Sequence, residues 1–386
     1  MKKSIFFCAA LFACALGFQS CDKVDNPGSP TEAVIDNGTE LADAVKNFAK
    51  EGVLEVPANV VELYVSENID LSEVEVKAEN LTLSVAKGVQ ITMGKPMTNV
   101  SIVGDAAEPA TIIAKAGFST NQDVVFSNLI FDASNIGSAL FTFTAPTEKA
   151  KKADGTDSNY GLLKSVDIEN ITVKGLKNSL VNNAGGNVFF QNFVINNSIV
   201  EIVGNNTVFA FGNGYTGNLE VKNSTIWSKE GHKGFFFQAQ GRPKDATGST
   251  SWAVKNCTLY QIAVGKKANN NNSGIKGQAT TTMILTNSIL VDFGSSNGNE
   301  INGWLWGQNS ASPIRTYENN TYWSAASEGS AVAGWTDSSK VGSDQTGTSL
   351  TTDPGFADAA NGDFTVSGAD QIAKKTGDPR WIANAQ

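Results

Sequence analysis

Residues 219–226 read LEVKNSTI, and the pattern of this octet recurs six more times along the chain. Its centre is an asparagine, with an apolar residue two positions before it and another three positions after it. In this octet these residues are Val221, Asn223 and Ile226. The other octets are VVFSNLIF at 124–131, VDIENITV at 166–173, VFFQNFVI at 188–195, WAVKNCTL at 252–259, MILTNSIL at 283–290 and RTYENNTY at 315–322. The predicted centres are Asn128, Asn170, Asn192, Asn223, Asn256, Asn287 and Asn319.

The apolar positions change parity at each asparagine. Side chains alternate between two faces along a strand, so a single straight strand would leave one of the two apolar positions in water. Two short strands that meet at a corner bury both positions, and asparagine suits a corner because it tolerates the left-handed conformation. We therefore expect the asparagines to point into the molecule and to hydrogen-bond to one another along a stack.

A strand–corner–strand unit that repeats is the signature of a solenoid. The last four centres lie 33, 31 and 32 residues apart. The fold class predicted is all-β, a right-handed single-stranded parallel β-helix of nine or ten coils. The alternative is a β-sandwich of unrelated strands, which gives no reason for a repeated corner residue.

The N-terminus predicts export. Residues 1–20 carry Lys2 and Lys3 near their start and continue with an apolar run at 5–18, which is too short to span a membrane. The run ends at Gln19, Ser20 and Cys21, which resembles a bacterial lipoprotein signal, so Cys21 is expected to be acylated and to anchor the chain to a membrane. The alternative is an ordinary secretory signal that is cleaved nearby.

The remaining chain divides into a tether and one domain. Residues 21–38 contain prolines, glycines and acids and are predicted to be a flexible tether. Residues 39–386 are predicted to be the β-helix domain. It would begin with a capping helix at about 39–50, with Thr39 as N-cap, and end with an irregular cap at about 352–386. Polar insertions at 144–159, 240–251 and 265–278 are expected to project from one flank.

The charge distribution suggests an anionic ligand. The net charge is −9, which argues against a nucleic-acid partner. Residues 144–278 nevertheless hold 15 Lys and Arg against 9 Asp and Glu. Arg242, Lys266 and Lys267 lie in the insertions and are candidates to hold an acidic polysaccharide. The alternative is that these cations only keep exposed loops soluble.

Aromatic residues supply a second set of candidates. Trp304 and Trp306 share one face of a predicted strand, and Trp227 and Trp323 each follow a core position and should point outward. Exposed indoles are frequent binding anchors, and the alternative is that they pack under loops. Arg315 precedes a repeat strand and is expected to point outward, either into a groove or simply into solvent.

The repeats, the N-terminal helix and the ending DPGF…NGDF…GDPRW resemble exported Bacteroidetes proteins of the pectate-lyase-like right-handed β-helix superfamily. More narrowly, they resemble lipoproteins built from domains of unknown function found in polysaccharide utilisation loci. The resemblance covers residues 39–381. It implies a lipid-anchored protein of the outer membrane, displayed at the cell surface or facing the periplasm, whose partners are a polysaccharide and an outer-membrane transporter.

The superfamily also contains lyases and hydrolases of acidic glycans. Glycoside hydrolysis requires two positioned carboxylates, but the chain has no adjacent Asp-Asp pair, and its single histidine, His232, is expected in a loop. The resemblance would imply calcium as cofactor only for a lyase. The sequence does not identify a catalytic residue, and we predict no metal site. We therefore expect a surface protein that binds polysaccharide rather than an enzyme. The alternatives are a polysaccharide lyase or hydrolase, in the first case acting on a uronate-containing glycan, and a structural or adhesive surface protein.

Overall fold

The computed structural model describes residues 34–184, 186–239, 250–264, 281–297, 300–302, 314–324, 335–339 and 342–383. It confirms the predicted parallel β-helix with a small N-terminal helix. Helix α1 spans Leu41–Phe48 and α2 spans Ala369–Lys374, and 3₁₀ turns occupy Ala359–Asn361 and Pro379–Trp381.

The strands in chain order are β1 Val53–Glu55, β2 Glu62–Val65, β3 Ile69–Leu71, β4 Glu75–Val85, β5 Gln90–Met93, β6 Met97–Val103, β7 Ala110–Ala114, β8 Phe118–Thr120, β9 Val124–Asp132, β10 Phe141–Phe143, β11 Lys149–Lys151, β12 Asp157–Leu163, β13 Val166–Leu176, β14 Val181–Asn183, β15 Val188–Asn196, β16 Ile199–Ile202, β17 Phe209–Gly212, β18 Tyr215–Lys222, β19 Thr225–Trp227, β20 Phe237–Ala239, β21 Thr250–Lys255, β22 Thr258–Tyr260, β23 Thr281–Thr286, β24 Ile289–Val291, β25 Ser295–Asn297, β26 Glu300–Asn302, β27 Ile314–Glu318, β28 Thr321–Trp323, β29 Phe356–Asp358 and β30 Asp363–Val366.

In the part of the chain that the structure describes, a 26-stranded sheet winds into three faces. In the described residues, face 1 stacks ten strand segments in parallel, in the order β2, β4, β6, β9, β13, β15, β18, β21, β23 and β27. Face 2 stacks β3, β5, β7, β9, β13, β16, β19, β22, β24 and β28. Face 3 stacks β1, β4, β6, β8, β10, β14, β17 and β20. Strands β4, β6, β9 and β13 each bend from one face to the next.

Seven asparagines form the corner between face 1 and face 2, but one of them differs from the prediction. The left-handed corners are Asn128, Asn170, Asn197, Asn223, Asn256, Asn287 and Asn319, with φ between 48° and 57°. Asn192 is not a corner: it lies inside β15, in register with Asn218 of β18. The corner of this coil is Asn197, whose flanking residues Ile195 and Val200 fit the same apolar pattern and are buried.

The corner side chains form the expected hydrogen bonds in two groups, one from Asn128 through Asn170 to Asn197 and one between Asn223 and Asn256. Asn170 Nδ2 donates to Asn128 Oδ1 at 2.8 Å, and Asn256 Nδ2 donates to Asn223 Oδ1 at 3.1 Å. The expectation that these side chains point into the solenoid is wrong. Six of them are partly exposed and Asn197 is exposed, because the left-handed turn directs the side chain along the edge rather than inward.

The residue after each corner is the one that points inward. Ser198, Ser224, Cys257, Ser288 and Asn320 are each 0% exposed. They form a second stack, in which Ser198 N donates to Ser224 Oγ at 3.0 Å and Cys257 N donates to Ser288 Oγ at 3.1 Å. The polar groups of this second stack are thus hydrogen-bonded, as burial requires.

Helix α1 covers the first coil. Leu41 and Ala44 are buried against β1 and β2. The N-cap is Glu40 and not Thr39, whose hydroxyl instead accepts a hydrogen bond from Asp36 N at 3.1 Å. The helix therefore begins one residue later than the prediction.

The first insertion is more ordered than its polar sequence suggested. Strands β11 and β12 pair as an antiparallel hairpin, and β12 joins the main sheet by pairing with β15. An ion pair between Lys151 and Asp157 links the two strands of the hairpin.

Candidate functional site

Face 2 presents two rows of outward side chains. The near row lies two residues after each corner and consists of Ile130, Thr172, Ile199, Thr225, Thr258, Ile289 and Thr321. The far row lies four residues after each corner and consists of Asp132, Lys174, Glu201, Trp227, Tyr260, Val291 and Trp323. The rows exist because the corner resets the alternation in every coil at the same position.

The last part of the chain lies across these rows. We call residues 350–383 the strap. Thr225, Thr258 and Thr321 of the near row are each 0% exposed, whereas Thr172 and Ile199 in earlier coils remain partly exposed. The strap thus covers four coils of face 2. Residues 352–386 were expected to form an irregular cap at the end of the solenoid, and up to residue 383 they lie along its flank instead.

Several strap residues hydrogen-bond to the solenoid, among them Gly377, whose N donates to Asn287 O at 2.7 Å. We call Asp378, Arg380 and Trp381, which lie next to one another on face 2, the latch. Asp378 is 0% exposed, and its carboxylate accepts hydrogen bonds from Thr225 Oγ1 at 2.8 Å and from Arg380 N at 3.1 Å. Arg380 Nε lies 3.2 Å from Asp378 Oδ2, and its Nη2 donates to Asn197 Oδ1 at 2.8 Å. Trp381 Nε1 donates to Thr225 Oγ1 at 2.8 Å.

Burial dominates the electrostatics of the latch. It raises the pKa of Asp378 to about 6, although Arg380 and the Thr225 hydroxyl act in the opposite direction. The ionised form of Asp378 is therefore less stable here than in water, even with a guanidinium beside it, as expected when a charge is removed from water.

An apolar cluster seals the strap against the far row. Val291 of β24 packs with Val366 and Ile382 of the strap. Phe364 lies edge-on to Trp227, with ring centroids 5.7 Å apart, and contacts Tyr260 at 5.5 Å. The strap therefore has its own small hydrophobic core, separate from the solenoid interior.

Where the strap stops covering face 2, it leaves a groove, which we call the Trp227 groove. It has a volume of about 360 Å³. Its floor is formed by Thr172, Ile199 and Trp227, and the turn 360–362 of the strap forms one wall. Gly362 has φ +85°, and a Cβ there would lie 3.1 Å from Trp227 Cζ2. Glycine is thus the residue that allows the strap backbone to lie against the indole.

Charged side chains line the groove. Lys174 and Lys229 are exposed, and Lys229 Nζ lies 3.5 Å from Asn361 Oδ1, at the outer limit for a hydrogen bond. Glu201 also faces the groove, but its Oε2 accepts a hydrogen bond from Gly175 N at 2.9 Å. The groove therefore offers two exposed ammonium groups, an indole edge and the Asn361 amide.

The structure brings two of the predicted site residues to this flank but not as exposed indoles. Trp227 does point outward from face 2, yet it is only 8% exposed because the strap covers it. Trp323 also points outward, and it packs against the strap cluster in a partly buried position. The prediction of exposed stacking platforms is wrong for both, although an edge of Trp227 still lines the groove.

Arg315 does not point outward as expected. It is in register with Met283, which is 0% exposed, and it lies on the same inward side of the strand as Tyr317. Its guanidinium lies near Gly342, where a Cβ would be 3.6 Å from Arg315 Nε. Side chains alternate along the strand, so Arg315, four residues before Asn319, lies on the same side as Tyr317, two residues before it. The sequence alone therefore contained the signal for an inward Arg315.

The remaining predicted residues, Cys21, Arg242, Lys266, Lys267, Trp304 and Trp306, lie outside the described residues. The same holds for the export signal at 1–20 and for most of the tether at 21–38. These predictions stay as they were made.

His232 is a structural residue. It is 0% exposed, its Nε2 lies 2.8 Å from Asn206 O, and its Nδ1 accepts a hydrogen bond from Ala263 N at 3.2 Å. The acceptor role of Nδ1 assigns the proton to Nε2, and burial lowers the pKa of the ring. The neutral imidazole therefore links three successive coils.

Two further features bear on chemistry. Within the described ranges, no group of three or more His, Cys, Asp or Glu side chains is placed to hold a metal ion. In the same part of the chain, no helix is both long and apolar enough to cross a membrane.

The fold and this flank define the protein as a parallel β-helix with a latched C-terminal strap and a groove at the end of the strap. Residues 252–381, about a third of the chain, match a family model described as "Domain of unknown function (DUF5123)". The match begins at Trp252 in β21 and ends at Trp381 in the latch. Searches of curated proteins and of solved structures give no match.

Proposed function

We propose that the protein is an exported, lipid-anchored surface protein that binds polysaccharide, and that an acidic glycan occupies the Trp227 groove. The observation that carries the proposal is the combination of Lys174, Lys229 and the Trp227 edge in one open groove. Ammonium groups bind carboxylates through charge-assisted hydrogen bonds, and the edge of the indole offers a small apolar contact to a sugar ring.

The surroundings of the groove suit a polymer. From the groove toward the N-terminus, the outward rows of face 2 are uncovered and continue through Thr172 and Ile130, with Lys174 and Asp132 beside them. Successive coils are about 4.8 Å apart, so a chain lying along the solenoid axis would meet one pair of outward side chains per coil. A rigid β surface orders such residues before the ligand binds.

Affinity electrophoresis against uronate-containing and neutral polysaccharides tests the proposed binding of an acidic glycan. We expect retardation by an acidic glycan and a loss of about fivefold in affinity for each of Lys174→Ala and Lys229→Ala, since an exposed ion pair contributes up to about 1 kcal/mol. Lys95→Ala is the matched control, because Lys95 is an exposed lysine in a distant coil. Retardation should also weaken with added salt.

Two results would contradict this proposal. One is the absence of retardation by every acidic glycan, and the other is equal retardation of the double lysine variant and the wild type. The same incubations, followed for unsaturated products and new reducing ends with and without calcium, test the lyase or hydrolase alternative. Lipid anchoring is tested by mass spectrometry of Cys21 in the cell-derived protein, and the transporter partner by its co-purification from outer membranes.

A further inference from the structure

A second groove lies on face 1 of the first coils, and we call it the Tyr64 groove. Tyr64 of β2 is in register with Ser84 of β4, which is in register with Val103 of β6. Tyr64 is 43% exposed, and its ring stands beside these smaller side chains. The depression has a volume of about 380 Å³, and its lining extends to Glu40 and Asp105.

The tyrosine ring is held in place by the turn that precedes α1. Gly38 has φ +83°, and a Cβ there would lie 3.3 Å from Tyr64 Cε2, so the ring rests close to the glycine backbone. The turn itself is fixed: Gly38 N donates to Glu62 O at 3.1 Å, and Tyr64 N donates to Thr39 O at 3.0 Å. One side of the ring is thus supported, which lowers the entropy that binding would have to remove.

Two carboxylates at the rim are also fixed by backbone donors. Asp105 Oδ1 accepts hydrogen bonds from Ala107 N at 2.8 Å and from Glu108 N at 3.1 Å. Glu40 Oε2 accepts one from Ser66 N at 3.1 Å. Each carboxylate retains acceptor capacity for a hydroxyl donor, because an ionised carboxyl group has about four lone-pair sites.

The two grooves differ in charge. The residues that line the Tyr64 groove include two acids and no Lys, Arg or His, whereas two lysines, Lys174 and Lys229, and one acid, Glu201, line the Trp227 groove. Carboxylates repel a uronate but accept hydrogen bonds from the hydroxyls of an uncharged sugar. An aromatic ring with a few positioned polar groups is the ordinary make-up of a site for such a ligand.

We propose that the Tyr64 groove is a second carbohydrate site, specific for an uncharged sugar unit. The apolar C–H face of the sugar stacks on Tyr64, while its hydroxyls donate to Asp105 and Glu40. This site goes beyond the proposed acidic-glycan function and does not depend on it, since the two grooves share no lining residue.

Affinity electrophoresis of the full chain in gels containing amylopectin, galactomannan or inulin tests this site. We expect retardation by at least one of these neutral polymers, a loss of about tenfold in affinity for Tyr64→Ala, and near-wild-type affinity for Tyr64→Phe, which keeps the ring. Val61→Ala is the matched control, because Val61 is 48% exposed on the same strand region but does not line the groove. Circular dichroism checks that each variant folds.

Variants of each groove distinguish a failure of the Tyr64 site from a failure of the Trp227 groove. Lys174→Ala with Lys229→Ala should leave neutral-glycan binding unchanged, and Tyr64→Ala should leave acidic-glycan binding unchanged. The second site is overturned if no neutral polymer retards the wild type, or if Tyr64→Ala binds a neutral polymer as well as the wild type does. It is also overturned if the lysine variants lose neutral binding, or if only amine-bearing ligands bind in a Tyr64-dependent way, which would indicate a cation site.

Discussion

The buried carboxyl of Asp378 should contribute more to the stability of the protein in mild acid than at neutral pH. The pKa of this group is about 6 in the folded chain, against an ordinary value of 3.8. Between these values the folded chain binds more protons than the unfolded chain. The stability that the group contributes is therefore full below about pH 4, falls as the pH rises to about 6, and stays constant above that. A difference of about two pKa units corresponds to about 3 kcal/mol.

The substitution Asp378→Asn isolates this contribution, because it keeps the shape of the side chain and removes its titration. We expect the free energy of unfolding of the variant, relative to that of the wild type, to increase by about 3 kcal/mol between about pH 4 and pH 7. Urea denaturation at intervals across this range measures it. Hydrogen exchange of residues 350–383 at each pH distinguishes release of the strap from unfolding of the solenoid.

The difference in the free energy of unfolding between the Asp378→Asn variant and the wild type removes the effect of the other titrating groups. His232, whose pKa is lowered by burial, titrates in both chains and cancels in the difference. A difference that stays flat with pH would refute the assignment of a raised pKa to Asp378. A difference that decreases with rising pH would show that the ion pair with Arg380 outweighs burial.

Three further predictions concern the corners, the strap and the interior. Asn256→Ala should destabilise the protein by about 1–2 kcal/mol, because alanine tolerates the left-handed corner less well and the hydrogen bond to Asn223 is lost. Asn192→Ala, which is not at a corner, should cost less than about 0.5 kcal/mol. Equal losses of the two variants in urea denaturation would contradict the corner assignment. Gly377→Ala should lower the free energy of unfolding by about 2 kcal/mol or more, because φ is +104° and a Cβ would lie 2.9 Å from Ile289 Cδ1. Gly137→Ala is the control: no atom lies within 4 Å of its Cβ, so its free energy of unfolding should stay within about 0.5 kcal/mol of the wild-type value. Similar melting temperatures of the two variants would contradict this prediction. The thiol of Cys257 is 0% exposed and burial raises its pKa, so it should resist alkylation in the folded protein and react in urea; peptide mass spectrometry measures this, and rapid labelling of the folded chain would show that the interior opens.

The parity of the apolar residues was enough to predict the fold but not every corner. Both Asn192 and Asn197 have an apolar residue at −2 and at +3, so the pattern alone does not distinguish them. Spacing does: Asn197 lies 27 residues after Asn170 and 26 before Asn223, whereas Asn192 makes unequal steps of 22 and 31. A coil of nearly constant circumference favours the equal steps.

The site was less accessible to sequence reasoning because it depends on contacts between distant residues. The outward direction of Trp227 follows from local alternation. Its burial follows from Phe364, which lies 137 positions further along the chain. Likewise, Asp378 meets Thr225 across 153 residues. Nothing in the local pattern around either residue indicates this contact, so the sequence predicted an exposed indole where the strap lies.

The central claim, that an acidic glycan occupies the groove beside the strap, is tested most directly by footprinting. The protein is labelled with an amine-reactive reagent, with and without a saturating acidic polysaccharide, and the modification of each lysine is measured by peptide mass spectrometry. The account predicts that the glycan protects Lys174 and Lys229 and leaves Lys95 as reactive as before. Full reactivity of Lys174 and Lys229 in the presence of bound glycan, or protection at other lysines alone, would contradict it.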